Sequence, residues 1–309
     1  MANVLAALVP VFLIIALGVA LKRWLLPETS HWIALERLTY FVLFPALIIV
    51  SIARTDLGGV AAAGVAAALL GAIALLGATL LLARRPLSRA LRLDGPGFTS
   101  VFQGALRWNT YIGLAVSGGL AGPAGLAVAA VAIAVIIPFA NTLSVIVLAR
   151  HGTAGGDARL IARQLLRNPF IWSCALGALI NVAHLPIPSV LITFADILGR
   201  ASLALGLLVV GAGLRLGDLR RPRMATWLTS ALKLGALPTM AIAIGVLCGL
   251  SGVDLLVVAV ASAVPSAPNG YVLARQMGGD APLLAEMLTI QTILAAVTLP
   301  LVIAAVSML

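Results

Sequence analysis

Three polar side chains that suit carboxylate recognition lie deep inside apolar stretches of the sequence. Arg107 and Asn109 interrupt one such stretch, and Asn269 interrupts another, 160 residues after Asn109. A guanidinium presents a planar fork of donors that matches a carboxylate, and an amide both donates and accepts hydrogen bonds. A charged group inside an apolar span usually faces a cavity or a partner. These residues therefore predict a site for a small organic anion.

The segments around these residues predict interrupted helices. The stretch 264–280 carries two prolines, an asparagine and a glycine within six residues, and proline removes a backbone donor. The stretch 103–119 lacks proline, so we expect polar side chains to compete for its backbone. Paired breaks in a membrane protein indicate the binding site of a transporter. The candidate substrate-binding residues are Arg107, Asn109, Tyr111, Pro268, Asn269, Gly270 and Tyr271.

Each candidate also has a structural alternative. Arg107 could pair with an acid or with carbonyl groups freed at the break, and the two asparagines could satisfy the same freed groups. Tyr111 and Tyr271 each lie two residues after an asparagine, where packing across the breaks is the simpler interpretation.

Polar and ionisable side chains in other segments give further hypotheses. Glu286 and Gln291 lie in the last apolar segment, where a buried carboxyl can couple ion movement to transport; an interfacial charge is the alternative for Glu286. Asp196 and Arg200 are four residues apart, so we expect them to form an ion pair on one helix face.

Two more charged residues lie near segment ends. Glu36 is near the inner end of its segment and is interpreted as an interfacial charge. Lys233 lies a little further inside its segment, and we expect its long side chain to extend to the interface.

Composition identifies an integral membrane protein. The 309 residues are 62% hydrophobic and 10% charged, with long apolar runs. The net charge of +10 resides in arginine clusters between those runs, as in cytoplasmic loops, which argues against nucleic acid as a partner. Motifs of metalloproteases, nucleotide-binding loops and serine hydrolases are absent from the sequence, so we expect neither an enzyme nor a bound metal or cofactor. A sensor would be expected to carry a soluble output domain.

Ten apolar segments predict ten membrane spans. Lysine and arginine concentrate in the odd-numbered connections, which predicts that these loops are cytoplasmic and that both termini lie outside the cytoplasm. The segments are roughly 4–21, 33–53, 58–83, 98–119, 124–149, 169–185, 190–213, 225–250, 254–276 and 283–308.

The two halves of the chain resemble each other at an offset near 160 residues. Pro10 corresponds to Pro169, and Asn109 to Asn269. Five spans in each half require the second half to be inverted. We therefore predict an all-α polytopic membrane protein of ten transmembrane helices in two inverted five-helix repeats, with helices 4 and 9 broken and crossing at mid-membrane. The repeats are 1–150 and 169–309, and a basic cytoplasmic linker spans 151–168.

The sequences RWNTYIGLAVSGGLAGPAGLA and PSAPNGYVLARQMGGDAPLLAEMLTIQT resemble the auxin efflux carrier family of permeases, in the bacterial branch that includes malonate transporters. The resemblance implies a scaffold of spans one, two, six and seven, which also forms a homodimer, and a mobile transport domain. Plant members have proline in both crossing helices, and this chain departs from that pattern in its fourth span.

The resulting hypothesis is a secondary active transporter, a permease or efflux carrier, that works by alternating access. Its substrate would be a mono- or dicarboxylate such as malonate or an auxin-like acid, and the lipid bilayer is its other partner. Coupling to H⁺ or Na⁺ stays open. The alternative is a sodium- or proton-coupled symporter or exchanger, of the bile-acid or sodium/proton antiporter fold type, with a non-carboxylate substrate. That alternative requires acidic side chains where the two broken helices cross.

Overall fold

Helices make up every regular element in the part of the chain that the structure describes, namely residues 2–54, 60–153, 169–217 and 222–309 of a computed structural model. Most of the predicted linker 151–168 lies outside these residues. The helices are α1 (Ala2–Trp24), α2 (Thr29–Leu38), α3 (Phe44–Ala53), α4 (Ala62–Leu82), α5 (Arg84–Leu91), α6 (Gly95–Leu106), α7 (Thr110–His151), α8 (Pro169–Val182), α9 (Ser189–Gly213), α10 (Met224–Ala231), α11 (Leu237–Leu247), α12 (Gly252–Ala263), α13 (Asn269–Met277) and α14 (Ala281–Val306).

Seven helical stretches among the described residues are long and apolar enough to cross a membrane. One of them, Gly95–His151, combines α6 and α7, and the apolar helices Trp172–Val182 and Gly252–Ala263 are shorter. The prediction of a multi-pass, all-helical membrane protein is therefore confirmed. The count of ten spans in two inverted repeats stays a prediction, because breaks and a kink divide the helices on which that count depends.

The longest helix, α7, changes direction part-way. Its 42 residues would extend about 63 Å if straight, roughly twice the hydrocarbon thickness of a bilayer. Gly122 has φ 57° and ψ −141°, a conformation open to glycine but strained for other residues, and Pro123 follows it. The kink therefore falls where the sequence separates its fourth and fifth apolar segments.

Two membrane helices contain short π-helical segments. Thr39–Leu43 joins α2 to α3, and Leu232–Ala236 joins α10 to α11. A π segment adds a residue to the turn and often marks a functional position. The first follows Glu36 by one turn, and the second contains Lys233.

The helices pack in two groups. In the first, α1 packs along α9, and α3 packs against α8 and α9. Gly18 and Gly211 make the contact of α1 with α9 possible, because a Cβ atom at either position would collide with the backbone of the other helix. In the second group, α4 packs against α11, and α12 packs against α7, α11 and α14. Both helix breaks lie in the second group.

Candidate functional site

The first break separates α6 from α7 at Arg107, Trp108 and Asn109. Arg107 ends α6 with an extended backbone, φ −74° and ψ 157°. The side-chain Oδ1 of Asn109 then accepts hydrogen bonds from the N–H groups of Tyr111 (3.1 Å) and Ile112 (3.2 Å), which caps the start of α7. The expected break without proline is therefore present, and Asn109 satisfies freed backbone groups.

The second break separates α12 from α13. Its residues Val264 to Pro268 lie between the last residue of α12, Ala263, and the first residue of α13, Asn269. The side-chain Oε1 of Gln291 accepts a 2.9 Å hydrogen bond from the N–H of Ser266. A backbone donor freed by this break is thus satisfied by a side chain from α14, as burial in an apolar environment requires.

The two breaks are in direct contact. The N–H of Asn109 donates a 2.8 Å hydrogen bond to the carbonyl oxygen of Pro265. Gln291 strengthens the junction, because its Nε2 donates to the carbonyl oxygen of Gly104 (3.1 Å) while its Oε1 accepts from the second break. Gln291 is completely buried and links both interrupted helices.

Arg107 lies beside this junction, and its described hydrogen-bond partners are all side-chain amides. Its side chain is 5% exposed. Its Nη1 donates to Gln103 Oε1 at 3.3 Å, and its Nη2 donates to Asn141 Oδ1 at 2.6 Å and to Asn269 Oδ1 at 3.2 Å. Among the described residues no carboxylate forms an ion pair with it. Gly270 leaves room for the side chain, since a Cβ there would lie 3.1 Å from Arg107 Cδ.

Two buried donors next to Arg107 have no hydrogen-bond partner among the described residues. They are Gln103 Nε2 and Trp108 Nε1. A buried donor without an acceptor costs about 1–3 kcal/mol. Two such donors beside a guanidinium that has no described carboxylate partner make the surroundings of the first break rich in donors and suited to an acceptor-rich ligand.

Two small cavities flank the crossing, and each has room for about two or three water molecules in this conformation. The first is lined by Arg107, Trp108, Thr110, Ile136, Ile137, Ala140, Asn141, Ala267 and Asn269. The second is lined by Glu36, Tyr40, Asn109, Thr110, Tyr111, Ala267, Pro268 and Asn269. Five of the seven predicted binding residues thus line one cavity or both, and Gly270 touches Arg107.

The two tyrosines occupy different surroundings. Tyr111 lines the second cavity and stacks on Phe44, with ring centroids 4.8 Å apart. Tyr271 points elsewhere, because its hydroxyl accepts a 2.9 Å hydrogen bond from Arg215 and the same guanidinium lies 5.1 Å from its ring. Tyr271 does not line either cavity.

Glu286 accepts hydrogen bonds from the start of α10. Its Oε1 accepts hydrogen bonds from the N–H of Arg223 (2.7 Å) and from the hydroxyl of Thr226 (2.6 Å), and its Oε2 lies 3.6 Å from Arg223 Nε. These bonds occupy the carboxylate at a helix N-terminus, where negative charge is favourable. Its role in ion coupling stays a prediction.

Three sequence interpretations of charged residues need correction. Asp196 forms its ion pair with Arg54, at 2.9 Å, and not with Arg200, because α3 packs directly against α9. Lys233 does not extend to the interface: it is completely buried, and its Nζ donates to Ser262 O at 3.1 Å. Glu36 is not simply interfacial, since it lines the second cavity.

Comparison with known proteins adds two similarities. Residues 158–303 match the model of a family described as membrane transport protein. The chain is also 27% identical over 297 residues to an uncharacterized transporter of Methanothermobacter thermautotrophicus, and the match covers 94% of each chain. Both similarities support a membrane transporter. They also weigh against an enzyme.

Proposed function

We propose that the chain is a secondary transporter of a small organic anion, with its binding site at the crossing of the two breaks. The observation that carries the proposal is the buried guanidinium of Arg107, held by three amide oxygens and without a carboxylate partner among the described residues. A buried charge is costly unless it is compensated. A substrate carboxylate would provide that compensation through the bidentate geometry that arginine favours.

The donors around Arg107 support an anion over a cation. Gln103 Nε2 and Trp108 Nε1 are buried and lack acceptors within the described chain, so a bound carboxylate would also satisfy them. The half-helices α7 and α13 both start at this junction, and the positive ends of helix dipoles favour negative charge. Asn269, which is exposed to the cavities, would orient the substrate.

The transport mechanism that fits is alternating access. We propose that α1, α3, α8 and α9 form the scaffold and that the helices carrying the breaks move against it. Glycine-mediated backbone contact between α1 and α9 suits a rigid element. The ten-span inverted repeat, the homodimer through the scaffold, the location in a bacterial inner membrane and the outward termini are parts of the same proposal. Coupling to H⁺ or Na⁺ through Glu286 or Gln291 stays a prediction.

Ligand-induced thermal stabilisation of the purified protein tests this function. We expect mono- or dicarboxylates to raise the unfolding temperature of the wild type and to lose that effect in Arg107→Gln. The control is Arg89→Gln, which removes the same charge from an exposed position and should leave the ligand response unchanged. A carboxylate response that survives in Arg107→Gln would exclude Arg107 from the site. Stabilisation by inorganic cations alone would favour the sodium- or proton-coupled exchanger.

A further inference from the structure

The second cavity at the crossing has an acid in its wall, whereas the first has an arginine. Glu36 lines the second cavity together with Tyr40, Asn109 and Pro268. Both cavities share Thr110, Ala267 and Asn269. The two cavities therefore adjoin at these three residues, with Arg107 in the wall of one and Glu36 in the wall of the other.

Within the part of the chain that the structure describes, Glu36 has no cationic partner. Its side chain is half-buried, and no described lysine, arginine or histidine lies within ion-pair distance of it. Tyr40, one turn further along, lines the same cavity. A partly desolvated carboxylate without a partner favours a cationic or strongly donating ligand.

We propose that the site takes a zwitterion, with its carboxylate at Arg107 and an ammonium or comparable cationic donor at Glu36. This inference rests on the proposed function, because it assumes that the carboxylate end binds Arg107. It changes the expected net charge of the substrate from negative to zero while keeping the carboxylate: a second carboxylate directed at Glu36 would meet a like charge in surroundings that screen it poorly. Glu36 is then a specificity-determining residue that selects an amino-carboxylate over a dicarboxylate.

The π-helical segment next to Glu36 fits this role. Thr39–Leu43 widens the helix one turn after Glu36 and contains Tyr40. Both cavities are narrow in this conformation, so a substrate with six or seven non-hydrogen atoms requires them to open. The helix of Glu36 continues into α3, which packs on the α8–α9 group, whereas Arg107 belongs to the other group. A zwitterion that contacts both charges would therefore bridge the two groups of helices.

Matched ligands test the proposal. Butyrate, succinate and 4-aminobutyrate share one chain length and differ at the far end, and propionate, malonate and β-alanine form a shorter set. We expect the wild type to be stabilised by an amino-carboxylate at a concentration at least tenfold lower than by the dicarboxylate of the same set. In Glu36→Gln the preference should disappear. The control is Glu28→Gln, an exposed acid in the preceding loop, which should retain the preference.

The remaining outcomes contradict either the zwitterion proposal or the proposed function. A wild type that prefers the dicarboxylate, or a preference that persists in Glu36→Gln, overturns the proposal while leaving the anion transporter intact. A stabilisation by sodium chloride over choline chloride that Glu36→Gln abolishes, without organic ligand, assigns Glu36 to an inorganic cation and also overturns it. A wild type that responds to no carboxylate refutes the proposed function itself.

A folding defect in Glu36→Gln would also remove the ligand preference, so a second variant that retains the charge is needed. Glu36→Asp keeps the charge and withdraws it by one methylene, so it should shift the preference from β-alanine towards the longer 4-aminobutyrate. If the ratio between the stabilising concentrations of these two ligands is the same in Glu36→Asp as in the wild type, the ammonium does not contact this residue.

Discussion

The main-chain N–H of Asn109 donates a 2.8 Å hydrogen bond to the carbonyl oxygen of Pro265. Each of these groups lies in a helix break and lacks a partner within its own helix. Because hydrocarbon offers no alternative partner, each break satisfies a backbone group that the other exposes. The breaks are therefore a single structural unit, and a change that separates them leaves unsatisfied groups on both.

Removing the side chain that links the breaks should destabilise the protein. Gln291→Leu deletes the hydrogen bonds to Gly104 O and from Ser266 N while retaining the approximate volume of the side chain. Each of the two orphaned groups costs about 1–3 kcal/mol, so we expect a loss of roughly 2–6 kcal/mol in unfolding free energy. Thermal unfolding in detergent measures this loss of stability.

The control for Gln291→Leu lies one residue further along the same helix. The hydroxyl of Thr292 donates to Leu288 O, within its own helix, and has no other partner among the described residues. Thr292→Val should therefore change stability by about 1 kcal/mol or less. Equal unfolding temperatures for Gln291→Leu and wild type would contradict the linking role.

Filling the space beside Arg107 should weaken substrate binding more than folding. In Gly270→Ala the new Cβ would lie 3.1 Å from Arg107 Cδ and 3.2 Å from Leu284 Cδ2, so the guanidinium must shift. We expect the affinity for a carboxylate to fall about tenfold, equivalent to about 1.4 kcal/mol. Isothermal titration against Gly235→Ala provides the comparison, because a Cβ at Gly235 meets nothing within 4 Å. The same loss of affinity in both variants would remove the steric explanation.

The sequence predicts the breaks because local chemistry creates them. Pro265 and Pro268 cannot continue a helix, and Asn109 is a strong N-cap, so these positions are readable without knowledge of the fold. The role of Gln291 as a link between breaks is not readable in this way, because it depends on the rotation of α14 about its axis.

The partners of charged residues are also not predictable from the sequence without the fold. The spacing of Asp196 and Arg200 favours a pair on one helix, yet the contact of α3 with α9 brings Arg54 to Asp196 instead. Asn141, a partner of Arg107, has no local signal beyond its polarity in an apolar segment. Its assignment requires the kink at Gly122, which folds the second part of α7 back towards the first break.

Two lysines that donate to carbonyl oxygens near helix ends should respond differently to replacement by methionine. Lys22 Nζ bonds to Ala212 O near the end of α9 at 2.7 Å and is partly exposed, whereas Lys233 Nζ bonds to Ser262 O near the end of α12 at 3.1 Å and is completely buried. A cation at a helix C-terminus contributes about 0.3–1 kcal/mol. We expect Lys22→Met to lose about that amount. Lys233→Met should be neutral or stabilising, because it also removes the desolvation of a charge that no described acid compensates.

Thermal unfolding of both lysine variants, with Arg89→Gln as an exposed reference, checks this order. A strong destabilisation by Lys233→Met alone would show that its ammonium has a further partner in the folded protein. Carboxylate binding measured on the same samples separates stability from function. Lys233 and Trp108 line one small cavity, and Trp108 also lines the cavity of Arg107. Loss of positive charge behind Trp108 should therefore weaken carboxylate binding even where the fold is as stable as the wild type.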